Sequence, residues 1–162
     1  MMIEKIDCRA GNRSESKNSE LSGAVAFTVP GEPHGKGRHR SCIRGGRIAT
    51  YTPTKTANYE SLVALTAQAA MRGIAPIDGP CIVEMEILVA VPASWSAKKS
   101  SAALAGTIHP TKKPDIDNVE KAIFDGINGI VWRDDSQVVE VRKRKRYAET
   151  PCVRVSVVEI DV

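Results

Sequence analysis

The segment from Lys113 to Gly129, Lys-Pro-Asp-Ile-Asp-Asn-Val-Glu-Lys-Ala-Ile-Phe-Asp-Gly-Ile-Asn-Gly, constrains this chain more than any other. Its apolar residues Val119, Ala122, Ile123 and Ile127 recur at helical spacing, and Asn128-Gly129 ends the pattern. The sequence therefore predicts an amphipathic helix from about Asn118, with one face buried against another layer. Just ahead of it stand two carboxylates, Asp115 and Asp117, and one turn later an ammonium, Lys121. Pro114 biases Lys113 toward extended geometry, and in an extended segment residues i and i+2 point the same way, so the aspartates are expected side by side. Such carboxylates repel unless a cation lies between them. Hard divalent ions such as Mg²⁺ are held by one or two carboxylates with water and substrate phosphate. A second acidic pair, Asp134-Asp135, follows the helix and is placed to complete the cluster.

A chain of 162 residues holds one domain with a real core. The first 22 residues are polar, and their composition cannot bury enough apolar surface to order itself. They are expected to be a disordered tail ahead of a domain over 23–162. The tail lacks the apolar core of a signal peptide, and no apolar run elsewhere approaches the roughly 20 residues that span a bilayer. A cytoplasmic protein is expected. Cys8, Cys42, Cys81 and Cys152 are scattered, without a CxxC pair or a histidine at zinc-ligand spacing, and are expected to be free thiols.

Ala24 to Val29 reads as a first strand stopped by Pro30-Gly31. A basic, glycine-rich stretch follows, a flexible loop or loose hairpin ending near Ile48-Ala49, whose glycines let backbone approach phosphate. Thr52 before Pro53 predicts a helix start, and Tyr59, Leu62, Val63, Thr66, Ala69 and Ala70 carry its apolar face to about Gly73. Cys81 to Val91 alternates and then becomes wholly apolar, as a strand with one end buried would. Residues 93 to 111 read as a loop or short helical turn. Val138 to Tyr147 and Cys152 to Val158, separated by Ala148-Glu149-Thr150-Pro151, predict an antiparallel hairpin. The order implies a single α+β domain, a mixed sheet with two main helices.

The net charge is only +4, but six lysines and arginines and no acid lie between His34 and Lys55, and Arg142-Lys143-Arg144-Lys145-Arg146 forms a second block. Beside a carboxylate cluster, such segments suit a polyanion that is both held and attacked. Lys36, Arg38, Arg40, Arg44 and Arg47 are candidate phosphate contacts, with a solvated charged face as the alternative. The block at 142–146 alternates in sidedness, so at most some of its charges meet such a polyanion together. Asp115 and Asp117 could instead merely cap the helix, and Lys121 could pair with Asp125 at i+4. Asn118 is either a helix-start residue or a partner of the carboxylates. Glu84 and Glu86 face outward on a strand, Trp95 is placed to stack or to pack, and Trp132 is expected to pack. His34, His39 and His109 have no recognisable partner.

The string KPDIDNVEKAIFDGINGIVWRDDSQVVEVRKRK, with the upstream GKGRHR, YTPTKTANYE and PASWSAKK in the same order, resembles the RusA family of Holliday-junction resolvases over roughly residues 24 to 158. That resemblance implies a Mg²⁺-dependent endodeoxyribonuclease, with Mn²⁺ a candidate substitute, that cuts four-way DNA junctions by paired symmetric nicks. It also implies a homodimer and a frequent phage or prophage source. By position it makes Asp115, Asp117 and Asp135 the metal ligands and Lys121 the catalytic lysine, with Lys113 added to the DNA contacts. The chemistry expected is phosphodiester hydrolysis, the cation activating water and an ammonium offsetting charge on the phosphate. Two other classes fit parts of the sequence. One is a protein that binds branched DNA without cutting it. The other is a restriction-type nuclease with Pro114-Asp115 followed by E-x-K; here Val119-Glu120-Lys121 comes too soon and Glu140-Val141-Arg142 ends in arginine.

Neutralising Arg38 and Arg40 together is expected to weaken junction binding and to lower the slope of log K against log salt by about 0.9 for each phosphate no longer engaged. Binding titrations over a salt series measure this, and an unchanged slope removes the basic loop from the interface.

Overall fold

The computed structural model describes residues 24–38, 40–45 and 47–160, and the expected tail at 1–22 lies outside the described residues. The elements run β1 (Ala24–Pro30), β2 (Arg40–Arg44), β3 (Arg47–Tyr51), α1 (Thr54–Met71), β4 (Cys81–Ala90), α2 (Ala97–Leu104), α3 (Ile116–Ile127), β5 (Val138–Ala148) and β6 (Cys152–Glu159). Four strands form a mixed sheet in the order β1-β6-β4-β5, with β4 and β5 parallel and the other pairs antiparallel. The basic stretch forms a separate two-stranded hairpin, β2-β3, that runs to Tyr51. The expected α+β domain with a mixed sheet is what the chain folds into.

The local pairing differs from expectation. β5 and β6 do not form a hairpin, because β4 lies between them and pairs with both. The reason is burial: β4 carries Val83, Met85, Ile87, Leu88 and Val89, all buried, and such a strand belongs at the sheet centre. The Arg- and Lys-rich β5 takes the edge, where charged side chains discourage further pairing. Residues 97–104 are a helix of 8 residues, where the sequence suggests a loop or short helical turn. Ser96 caps it by accepting from the Lys99 amide at 3.4 Å. Pro53 is the residue flanking α1 at its start, without a side-chain cap, and Arg72 ends the helix in the left-handed region at φ 49°.

Alternation along the strands sorts the sheet into two faces. On one, Phe27, Val29, Met85, Ile87, Val153 and Val155 are buried with Tyr59, Val63, Ala67 and Met71 of α1 and Val119, Ala122, Ile123 and Ile127 of α3. Trp132 is fully buried in this core, edge-on to Phe124 at 5.0 Å between ring centroids. On the other face Glu84 pairs with Arg142 at 3.2 Å, and Glu86 lies 3.0 Å from Arg144 and 3.2 Å from Arg154. A hollow of about 560 Å³ there is lined by these same mutually paired charges. Among the described residues, no helix is long and apolar enough to cross a membrane. Cys81 and Cys152 are buried free thiols.

The two long helices come into close contact at Gly126. A Cβ there would lie 2.7 Å from Val63 Cγ1 and 3.0 Å from the Glu60 carbonyl oxygen, so α3 can reach α1 only with glycine at this position. Gly126→Ala is expected to destabilise the fold. Overpacking of about 1–3 kcal/mol outweighs a helix-propensity gain of at most about 1 kcal/mol. Denaturant unfolding of the variant beside the wild type measures the difference, and a more stable variant would contradict the close approach.

Candidate functional site

The helix α3 starts two residues earlier than the pattern of apolar residues suggests. Asp115 is its flanking N-terminal residue at φ −75° and ψ 140°, after a cis Lys113–Pro114 peptide, and Asp117 already lies in the first turn. The side-by-side projection expected of an extended Asp-Ile-Asp is therefore not what forms. Pro114 restricts only the residue before it, which leaves Ile116 free to begin the helix. Both carboxylates are exposed at the positive end of the helix dipole. Asp115 makes no side-chain cap hydrogen bond to α3, and its carboxylate instead accepts from Asn118 Nδ2 at 3.3 Å. Helix capping thus does not account for Asp115. Lys121 Nζ lies 3.6 Å from Asp117, with both side chains more than half exposed. Its partner is not Asp125, which is paired with Lys36.

The second acidic pair divides its labour. Asp134 caps a 3-10 turn over Asp135–Gln137 by accepting from the Ser136 amide at 3.0 Å, and hydrogen bonding to the Ser136 side chain, with the amide bond second, holds the Asp134 carboxyl below its usual range. Asp135 is exposed and makes no such cap. Gln137 fixes the turn with its whole amide. Its oxygen accepts from the Arg133 and Asp134 amides at 2.9 Å each, and its nitrogen donates to the Ile77 and Gly79 carbonyls at 3.0 Å each.

The glycine-rich loop lies against the starts of α3 and α1. The Lys36 amide donates to the Asn118 carbonyl at 2.7 Å, and the Gly37 amide to buried Thr56 Oγ1 at 3.1 Å. A Cβ at Gly35 would sit 2.9 Å from Asn118 Cβ, so glycine serves here for close packing on α3. Of the expected phosphate contacts, Lys36 has its ammonium on Asp125, while Arg38 and Lys113 are exposed. The side chains of Arg40, Arg44 and Arg47 lie outside the described residues. In β5, Arg142, Arg144 and Arg146 fall on the charged face of the sheet, and Lys143 and Lys145 on the helix side. Lys143 pairs with Glu120 of α3, and Lys145 Nζ donates to the carbonyls of Lys112 at 2.8 Å and Pro114 at 2.9 Å.

Asp115 and Asp117 are hard-oxygen donors of the kind that Mg²⁺ takes, one or two carboxylates with the remaining positions left to water and phosphate. Among the described residues, no three His, Cys, Asp or Glu side chains are grouped as cation ligands, so Asp135 is not gathered in with that pair. Comparison with known proteins decides the family. The family model described as endodeoxyribonuclease RusA matches residues 30–158. The chain belongs to the RusA family. It is also 38% identical over 138 residues to YqaN, an uncharacterised protein of Bacillus subtilis strain 168, a match covering 84% of this chain and 96% of that protein. The RusA match runs from the end of β1 through most of β6 and so spans every candidate site residue, from Lys36 in the glycine-rich loop to Asp135.

Two supports of the site escape a reading of motifs. Gln137 stands in the DDSQV string but carries no chemistry of its own, and Lys145 is hidden in a run of five basic residues. Alternation of that run would have set Lys145 apart from its arginine neighbours. Gln137→Leu is expected to lower stability by about 1–3 kcal/mol, because it orphans two partly buried carbonyls and two amides at once. Thermal unfolding measures the loss, and wild-type stability would mean that water replaces all four bonds.

Proposed function

We propose that this RusA-family chain is a structure-selective endodeoxyribonuclease that resolves four-way DNA junctions as a homodimer in recombination and repair. A two-fold dimer suits a two-fold junction, since it offers one site to each of two strands. The observation that carries the reading is the start of α3. There two exposed carboxylates and a lysine are held together, and the Asp115 carboxylate is not used to cap the helix. Family membership supports nuclease chemistry there.

Asp115 and Asp117, with Asp135 drawn in from the turn ahead of β5, would hold Mg²⁺. The ion when bound would supply a water acidified for attack and neutralise charge on the phosphate. Lys121 supplies the mobile cation. Its pair with Asp117 is exposed and worth about 0.3–0.5 kcal/mol, so its ammonium can move to a phosphate oxygen at little cost and stabilise the charge that develops there. Lys113, two residues before Asp115, and Arg38, two residues after the Lys36 amide that bonds Asn118, are exposed and suit the flanking phosphates, which fix position without reading sequence.

The test is cleavage of a synthetic four-way junction beside a linear duplex of the same sequence, each with Mg²⁺ and with chelator. Metal-dependent symmetric nicking confined to the junction is the expected result. Equal cutting of both DNAs would mean a general nuclease, and tight binding without cutting a junction-binding protein. Asp117→Asn keeps the size of the side chain and removes its charge. It is expected to leave junction binding near wild type and to abolish cleavage, and a variant that still cuts would displace the site from α3.

A further inference from the structure

Resting on that function, we infer that Lys145 is a positioning residue of the site, which holds the segment carrying Asp115 against the strand that follows Asp135. Residues 110–114 run into α3 without regular structure, so no ladder of backbone bonds fixes them. Lys145 does so from across the sheet edge. Its ammonium donates to the carbonyls of Lys112 at 2.8 Å and Pro114 at 2.9 Å, the second belonging to the residue just before Asp115. A lysine on an edge strand ordinarily extends its head into water. Lys145 is half-buried, in the helix-side row of β5 beside Ile87 of β4, and these two bonds both go to one segment. Since β5 begins at Val138, right after the Asp135–Gln137 turn, one strand follows directly on Asp135 and, through Lys145 ten residues beyond Asp135, grips the approach to Asp115. The distance between the two acidic segments is thereby set by one rigid strand and one ammonium. Groups that orient metal ligands in this way commonly change metal affinity or activity by about 10–100-fold when removed.

The experiment is a Mn²⁺ titration of the DNA-free protein, following the free ion by electron paramagnetic resonance, with the Mg²⁺ dependence of junction cleavage measured in parallel. Lys145→Met keeps the stem and deletes the donors. It is expected to weaken Mn²⁺ binding at least about tenfold and to raise the half-saturating Mg²⁺ concentration alike, with junction binding in chelator within about twofold of wild type. Lys145→Arg, which restores donors, is expected to recover most of both losses. Arg146→Met removes one charge from the opposite face of the same strand and is expected to bind Mn²⁺ as the wild type does. An equal loss in Arg146→Met would reduce the role of Lys145 to net charge and overturn the inference, as would wild-type Mn²⁺ binding in a folded Lys145→Met. A wild-type chain that neither binds Mn²⁺ nor cuts junctions would overturn the nuclease function along with it. An active wild type beside an unaffected Lys145→Met overturns the positioning role alone.

Discussion

Burial of one face of α3 governs where the chemistry can be. Val119, Ala122, Ile123 and Ile127 are fully buried, and Gly126 lets the helix settle onto Val63 of α1. A helix so held has no freedom to rotate. Asp117 and Lys121 stand two residues before Val119 and Ile123, about 200° round the axis, so the core that takes the apolar face turns these two outward together. Their pairing at 3.6 Å is a consequence of that rotation more than a cause of it, since an exposed i,i+4 pair contributes only a few tenths of a kcal/mol. Whatever binds at the start of α3 meets a surface fixed from inside.

Much of this is legible in the residues. The 3.6-residue period of α3, the alternation of β4 and the burial of Trp132 follow from apolar spacing, and the carboxylates and lysine at the head of α3 follow with them. What local patterns do not yield is long-range pairing. Two strands joined by four residues predict a hairpin, yet β4, from fifty residues upstream, inserts between β5 and β6, because a strand buried along its length gains more at the centre than an arginine-rich one loses at the edge. The apolar run at the end of β4 holds that information. α2 escapes for a different reason: Ala-Lys-Lys-Ser-Ser-Ala-Ala-Leu buries little besides Ala103, and its clearest mark is the Ser96 cap. The early start of α3 follows from Asp115, which flanks the helix without a strong local signal to separate it from Asn118.

Charge in this protein falls into engaged and disengaged sets. Glu84, Glu86 and Glu140 are matched to arginines on one face of the sheet, Glu120 to Lys143, and Asp125 to Lys36. Most of these pairs tie two elements together. The adjacent Asp134 and Asp135 show the division most sharply, since they are chemically identical and one residue apart. Asp134 closes a turn through the Ser136 amide and Asp135 does not. A basic or acidic run read only as composition cannot reveal this, because the sorting is made by backbone geometry, by turns and by the two-residue period of a strand.

The candidate site is assembled from segments anchored by different means, and that decides how it tolerates change. α3 is secured by the core. The turn at Asp135 is secured by one glutamine amide that satisfies four backbone groups. The approach to Asp115 is secured by one ammonium on two carbonyls. Core anchoring resists substitution through many small contacts, whereas a single side chain that satisfies several backbone groups fails all at once when it is removed. The apolar face therefore fixes the rotation of α3 and with it Asp117 and Lys121, while the segments on either side of that helix are tied down by single polar side chains. In the RusA fold as this chain builds it, residues that stabilise the domain, from the buried face of α3 to Gln137, also set where the candidate site lies.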